Sequence, residues 1–426
     1  MKIAIPKNRT ELKQHLGDSL FKNSYFIILN SFSTSIMGFI FWIVVARYYT
    51  PHNVGLASAI FSAAGLVNAF SGLGLAYGLI RYLPQEADKQ GMINSCLSIT
   101  GFLSFVFGTI FIIGLDIWSP ALLFVRENIL FLFSFVIFVV VSGMFALQNN
   151  IFIAMRFAKY SLFQNLINNI LRVLFPIILI SFGVFAIVFS WLIAVVVAFI
   201  IGTFFFIPRV QLGYKPIPTI KKEIINKMMH FSFGNYIAGF LGSLPIMVMP
   251  LMIVNVLGAE MAAYFYMAYS VAATLPVISG AVTTSLFTEG SHDQENFRLN
   301  VIRSIKFILL LLIPAIIGLF LFGDKILLLF GKTYSKNATA LLWLFGISSI
   351  PLAINQLYMT VKRVRIDIKP IIYINSFITF FIVGGSYLLM SEIGLIGIGI
   401  AWVLGHGIAA LTVGFFVITK ERWVKI

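Results

Sequence analysis

Apolar runs dominate the chain, and short polar breaks that carry most of the charge separate them. Twelve runs can be bounded, near residues 25–46, 54–80, 93–115, 122–147, 161–182, 184–207, 229–257, 261–287, 301–323, 338–361, 368–390 and 393–418. Each holds about 20 residues or more, and a helix of that length crosses roughly 30 Å of hydrocarbon. The pattern predicts an all-α polytopic membrane protein with 12 transmembrane helices. Only Phe182-Gly183-Val184 separates the fifth run from the sixth. The longest polar interior segment, 208–228, reads as a cytoplasmic linker. It divides an N-lobe of helices 1–6 (25–207) from a C-lobe of helices 7–12 (229–418), with a basic tail at 419–426. Residues 1–24 are basic, and Leu12, Leu16 and Leu20 recur every four residues, which predicts a short surface helix over 10–22. That segment has no apolar core and the first apolar run is full length, so the N-terminus does not read as a cleavable signal peptide.

One polar patch interrupts the fifth run. Asn165, Asn168, Asn169 and Arg172 fall at i, i+3, i+4 and i+7, so a helix puts them on one face. Arg172 then lies near mid-depth, where a guanidinium costs at least about 2.5–3.5 kcal/mol on insertion scales and must face protein or water. Two readings follow. The face lines a polar path for an anionic headgroup, or Arg172 ties neighbouring helices together through their carbonyls. Amides and hydroxyls elsewhere in the runs (Asn30, Thr34, Asn235, Ser243, Asn355, Asn375, Ser376) have the same two readings, contact with a sugar or a bond between helices.

Composition agrees: 60% of residues are hydrophobic, 11% are charged, and the mean hydropathy is +0.98. The net charge of +15 does not point to nucleic acid, because the basic residues cluster at the ends of apolar runs. With the N-terminus inside, 24 of the 30 lie in cytoplasmic segments and five outside, with Arg172 in the membrane. This asymmetry places both termini in the cytoplasm and the chain in the cell membrane. A single cysteine, Cys96, excludes an internal disulfide and reads as a packing residue. No Asp or Glu falls in the middle of a run, so the one mid-span charge is a cation. No Walker A or His-Glu-x-x-His sequence is present, no paired carboxylates lie in an outer loop, and the longest outer loop (324–337) is short. No enzymatic activity, cofactor or metal is expected.

The two halves match at an offset near 208: the outer turn at 47–55 faces 255–263, and Leu115-Asp116 faces Gly323-Asp324. Six runs per half make this a parallel repeat about an axis along the membrane normal. The second run carries a stripe of small residues, Ser58, Ser62, Gly65, Ala69, Gly72 and Ala76, suited to close packing or to a sliding seam. Pro176, Pro245, Pro250, Pro276, Pro314 and Pro351 interrupt other runs. Pro245 and Pro250, beside Gly239 and Gly242, are the candidate hinge. His406 is either a structural group or a proton-coupling one.

The stretch 38–84 carries a resemblance. Its Ala46-Arg47, Pro51, Val54-Gly55, small-residue run and Leu79-Ile80-Arg81-Tyr82-Leu83-Pro84 resemble the polysaccharide (O-antigen-type) flippases of bacteria and archaea, within the multidrug, oligosaccharidyl-lipid and polysaccharide exporter superfamily. The resemblance implies two lobes in a V around a cationic cavity, and alternating access. The implied cargo is a polyprenyl-diphosphate-linked oligosaccharide moved from the cytoplasmic to the outer leaflet for surface polysaccharide biosynthesis. It also implies binding roles for Arg47 and Arg81. The lipid II flippases of that superfamily have two further helices, which disfavours a peptidoglycan-precursor role. Combined with the residues above, the expected route runs from Arg81, Arg156 and Lys159 at the inner mouth, past Arg172 with Asn165 and Asn168, to Arg47. Asn30, Asn235 and Asn355 are further contacts. The expected partners are the lipid-linked anionic oligosaccharide, membrane lipids and other polysaccharide-assembly proteins. The rivals are an ion-coupled multidrug exporter of the same superfamily and a membrane-embedded polymerase or ligase.

Overall fold

The computed structural model describes residues 19–292 and 297–419, and every regular element among them is helical. The spanning helices are α1 (Ser19–Tyr48), α2 (Pro51–Gly72), α3 (Lys89–Ile113), α4 (Ile129–Ala154), α5 (Ala158–Ile178) and α6 (Gly183–Ile201). They continue as α7 (Lys222–Val256), α8 (Ala259–Ala272 and Leu275–His292), α9 (Phe297–Leu328), α10 (Lys332–Val364), α11 (Lys369–Ile393) and α12 (Leu395–Thr419). Eleven are individually long and apolar enough to cross a membrane; the two pieces of α8, bent by 41°, pass the same test together, which gives 11 or 12 candidate spans among the described residues. Phe102, Phe133, Phe380 and Leu411 stand exposed, as side chains facing hydrocarbon do. The expected helix over 10–22 and the tail after Thr419 lie outside the described residues, apart from the first residues of α1.

Several boundaries differ from those the hydropathy predicts. The fourth run was placed at 122–147, but α4 starts at Ile129 because Asn128 caps it. The Asn128 Oδ1 accepts from the amides of Leu130 (3.0 Å) and Phe131 (3.3 Å). Residues 115–127 instead fold as short helical turns held by the Asp116–Arg126 pair, whose hydrogen bond keeps the Asp116 carboxyl below its usual range. The second run is broken: Leu73 (φ 44°) and Gly74 (φ 72°) turn left-handed, and a separate helix follows at Leu75–Tyr82. The eighth run breaks at Ala273-Thr274, just before Pro276. Segment 324–337, expected as an outer loop, is helical except at 329–331.

The chain forms two compact units. One comprises Met1–Val45 and Ala64–Tyr236, the other Ala46–Ala63 and Ile237–Ile426. The last turn of α1 and the first half of α2 therefore pack with the helices of the second half.

In the first unit Cys96 is buried among Leu79, Met92, Ile151 and Phe152, with its Sγ 3.7 Å from the Met228 Sδ. Beside this core, after a turn at 211–213, residues 214–221 run as a strap along the start of α3. Asn94 donates to the Lys215 carbonyl (2.9 Å), and the amides of Thr219 and Lys221 donate to Ser98 (3.1 Å) and Ser95 (3.0 Å). Lys221 also pairs with Asp88, the cap of α3; that bond and the Gly91 amide hold the Asp88 carboxyl below its usual range. The segment between the halves is thus fastened to α3 along its length.

In the second unit the proline in α7 explains a contact. Pro245 has no N–H to offer the Leu241 carbonyl, and the Thr379 hydroxyl of α11 donates to it instead at 2.7 Å. Thr379→Val is expected to destabilise the purified chain by about 1 kcal/mol, and Thr379→Ser to retain the wild-type stability. Pro245→Ala, which returns a backbone donor, should shrink the cost of Thr379→Val. Thermal unfolding in detergent checks this, and an equal cost in both backgrounds would assign Thr379 another role.

Candidate functional site

The face predicted on α5 meets α1. The amide of Ala158 donates to the Asn23 Oδ1 (2.8 Å), the Asn165 Nδ2 to the Asn30 Oδ1 (3.0 Å), and the Asn169 Nδ2 to the Thr34 Oγ1 (3.4 Å). All three pairs are 135 residues apart, so the two helices run parallel with their turns in step. Ser161 and Asn149 complete the ladder. Asn30 donates to Ser161 (3.2 Å), while Ser161 (2.6 Å) and Asn165 (2.8 Å) both donate to the Asn149 Oδ1. Asn30 and Asn165 are therefore bonded between helices. Asn168 is half-buried and makes no hydrogen bond among the described residues.

Arg172 closes the ladder and is 8% exposed. Its guanidinium carbon lies 5.0 Å from the ring centre of Trp191 on α6 and 5.7 Å from that of Phe41 on α1. Both distances allow a cation–π interaction, which lowers the cost of a buried charge that is far from any carboxylate in sequence. Gly38 faces it from α1: a Cβ there would sit 3.4 Å from Nη2, in ordinary contact. The aromatic partners were not expected from the sequence.

A second buried amide cluster joins α4, α5 and α6. Gln164 donates to Gln148 (2.8 Å), and Gln148 donates to Thr203 (2.6 Å) and to the Phe199 carbonyl (3.3 Å). There α6 widens into a π-helical turn at Gly202–Phe206, and a Cβ on Gly202 would meet the Gln148 Oε1 at 2.6 Å and displace this amide pair.

The other basic candidates are spread out. Arg81 ends the Leu75–Tyr82 helix, exposed, with its Cζ 5.7 Å from the Tyr82 ring centre. Arg156 is exposed in a left-handed turn (φ 61°), and the Lys159 ammonium is 4.7 Å from the Tyr160 ring centre. Arg47 caps α9 within the second unit: its Nε donates to the Leu329 carbonyl (2.7 Å) and its Nη2 to that of Leu328 (2.8 Å). The Asn235 side chain lies outside the described residues.

The second unit contains a cavity of about 500 Å³ that the sequence did not reveal. Asn355, Asn375, His406 and Pro245 line it, together with Arg363, and no acidic residue does. Pro250 is buried in α7 and is not among the lining residues.

A family model described as "Polysaccharide biosynthesis protein" matches residues 20–287. No curated protein matches the chain. Among solved structures, the lipid II flippase MurJ in an inward closed conformation is 15% identical, with a TM-score of 0.73 over 93% of this chain and 87% of that one. An inward-facing multidrug resistance MATE family transporter of the MOP superfamily is also 15% identical, with a TM-score of 0.69 over 92% of this chain and 96% of that one. A MOP superfamily transporter from Pyrococcus furiosus, described as having a binding pocket of reversed polarity, is 14% identical, with a TM-score of 0.60 over 95% of each chain. At these identities the likeness establishes the fold.

Proposed function

The chain belongs to the family of polysaccharide biosynthesis proteins, and we propose that it moves a polyprenyl-diphosphate-linked oligosaccharide from the cytoplasmic to the outer leaflet by alternating access. One observation carries this reading. The polar groups deep inside the described helices are amides, hydroxyls, the His406 imidazole and cations, while each acidic residue of the twelve helices lies within five residues of a helix end. A carrier of cationic drugs needs a carboxylate at depth, whereas a carrier of an anionic headgroup needs the reverse. An inside-negative potential then favours outward movement by about 2.3 kcal/mol per negative charge per 100 mV.

In this reading Arg81, Arg156 and Lys159 attract the diphosphate at the inner ends of their helices. Arg172 supplies positive potential at mid-depth, with Asn168 open to the glycan. Arg47, with two nitrogens on the last carbonyls of α9, serves to hold that end. Two six-helix lobes related by a parallel repeat accommodate the movement, with both termini in the cytoplasm. The turns support the repeat. Arg156 and Ile366 share a left-handed φ (61° and 59°), and each turn closes with the same pair of bonds, Arg156→Ile153 with Phe157→Phe152, and Ile366→Arg363 with Asp367→Lys362. Gly183 (φ 58°, ψ −134°) and Gly394 (φ 62°, ψ −142°) also match.

The test is reconstitution of the full chain in vesicles carrying a fluorescent polyprenyl-diphosphate disaccharide in one leaflet. Protein-dependent transfer to the other leaflet, faster when the starting side is made negative, is expected. Transport of a cationic dye with no transfer of the lipid-linked sugar would favour the multidrug reading instead.

A further inference from the structure

We infer that the cavity of the second unit is a binding site for hydroxyl-rich, uncharged sugar rings, which gives the glycan of the proposed substrate a seat separate from the Arg172 region. The inference rests on the flippase reading for its cargo but on the cavity's own chemistry for its ligand class.

The serine and threonine hydroxyls of the wall have committed their protons. Ser348 and Ser349 donate to the Phe345 carbonyl at 2.8 and 3.0 Å, and Thr283 and Thr284 to that of Gly280 at 3.1 and 2.8 Å. Thr360 donates to Gln356 (2.9 Å) and Thr379 to Leu241 (2.7 Å). A hydroxyl has one proton and two lone pairs, so each of these presents only acceptor capacity to the cavity. Asn375 and Asn355 lean the same way, whereas the Gln356 Oε1 is taken by the Ser279 hydroxyl at 2.7 Å. Asn375 turns an N–H to the Ala238 carbonyl and Asn355 to that of His406, both at 3.0 Å. Two buried atoms of lining residues, the Asn355 Oδ1 and the His406 Nδ1, have no hydrogen-bond partner among the described residues. A wall rich in acceptors calls for a ligand that brings donors.

Two classes bring positive polarity to acceptors, O–H-rich neutral molecules and cations. Size and charge choose between them. About 500 Å³ far exceeds a single monovalent ion and falls in the usual range for an organic ligand. The one charged residue of the lining, Arg363, repels cations. One wall is aromatic, with the Trp402 ring 5.9 Å from that of Tyr269 and 5.3 Å from that of Phe345. An apolar aromatic face beside a band of acceptors matches a pyranose, which has C–H groups on its faces and O–H groups around its edge.

The experiment is saturation-transfer NMR on the full chain in nanodiscs with the methyl glycosides of glucose, galactose, N-acetylglucosamine and rhamnose. At least one should show transfer to its ring C–H protons. Ser348→Ala/Ser349→Ala, which removes two acceptors, should weaken its binding about five- to tenfold. Thr284 lines the cavity from an exposed position and the native Cys96 is buried, so Thr284→Cys labelled with a bulky maleimide should block binding without altering a helix. No transfer from any glycoside, or transfer unchanged in both variants, would overturn the inference. So would stabilisation by sodium over choline that the serine variant loses, which would make the cavity a cation site. Flipping without glycoside binding would remove the sugar site and leave the flippase; glycoside binding without flipping would do the opposite.

Discussion

Arg172→Ala is expected to reduce transfer of the lipid-linked saccharide by more than tenfold, while Arg172→Lys retains part of it. A unit charge acting over roughly 10 Å at an effective dielectric of about 20 contributes about 1.7 kcal/mol, somewhat more than a factor of ten in rate. Failed insertion cannot produce the loss, because removing a guanidinium at depth makes insertion easier by about 2.5–3.5 kcal/mol. Lysine keeps the charge but loses the flat group that lies 5.0 Å from the Trp191 ring. Trp191→Leu separates seat from charge, since it leaves the cation in place and removes its aromatic support. It should cost thermal stability more than transport. Transfer rates in vesicles and unfolding temperatures, measured on the same preparations, decide the matter. A normal rate for the alanine variant, or a rate that falls only in step with stability, would leave Arg172 a purely structural residue.

Helix existence was legible in this sequence because a bilayer demands long apolar runs and little else. Breaks and ends were less so. Hydropathy averages over Leu73-Gly74 and over Ala273-Thr274, so two broken elements read as continuous ones. The start of α4 could have been read from Asn128, a capping residue ahead of an apolar run, but the apolar residues at 121–125 masked it. Lysines at 325, 332 and 336 looked like loop residues, although helices can extend beyond hydrocarbon into water and keep them.

The site was legible in its faces and not in its partners. The i, i+3, i+4, i+7 spacing on α5 identified the side that meets α1. The pairing of Asn165 with Asn30, 135 residues away, could only come from the packed helices. The same holds for Arg47, whose acceptors lie 281 and 282 residues further along the chain. The committed hydroxyls of the second unit were partly readable, because Ser and Thr inside helices commonly donate to carbonyls three or four residues back. What local pattern cannot supply is that helices far apart in sequence turn those oxygens toward one space.

Two glycines of α2 offer the sharpest structural test, because the same substitution should have opposite signs. A Cβ on Gly55 would overlap the Ala259 carbonyl and lie 3.1 Å from its Cα. The obstacle is the backbone at the start of α8, which cannot rotate away as a side chain can. Gly55→Ala therefore forces the two helices apart and should cost about 1–3 kcal/mol or more, seen as a lower unfolding temperature and less monodisperse protein. Gly65 stands in the same helix, but a Cβ there meets nothing within 4 Å. Gly65→Ala should stabilise by up to about 1 kcal/mol, because alanine favours the helix. The glycines of α2 thus differ along the helix, with contact made at Gly55 and open space left at Gly65 and Gly72 of the small-residue stripe. Equal shifts for the two variants would mean that helix propensity, and not the approach of α2 to Ala259, sets the requirement for glycine.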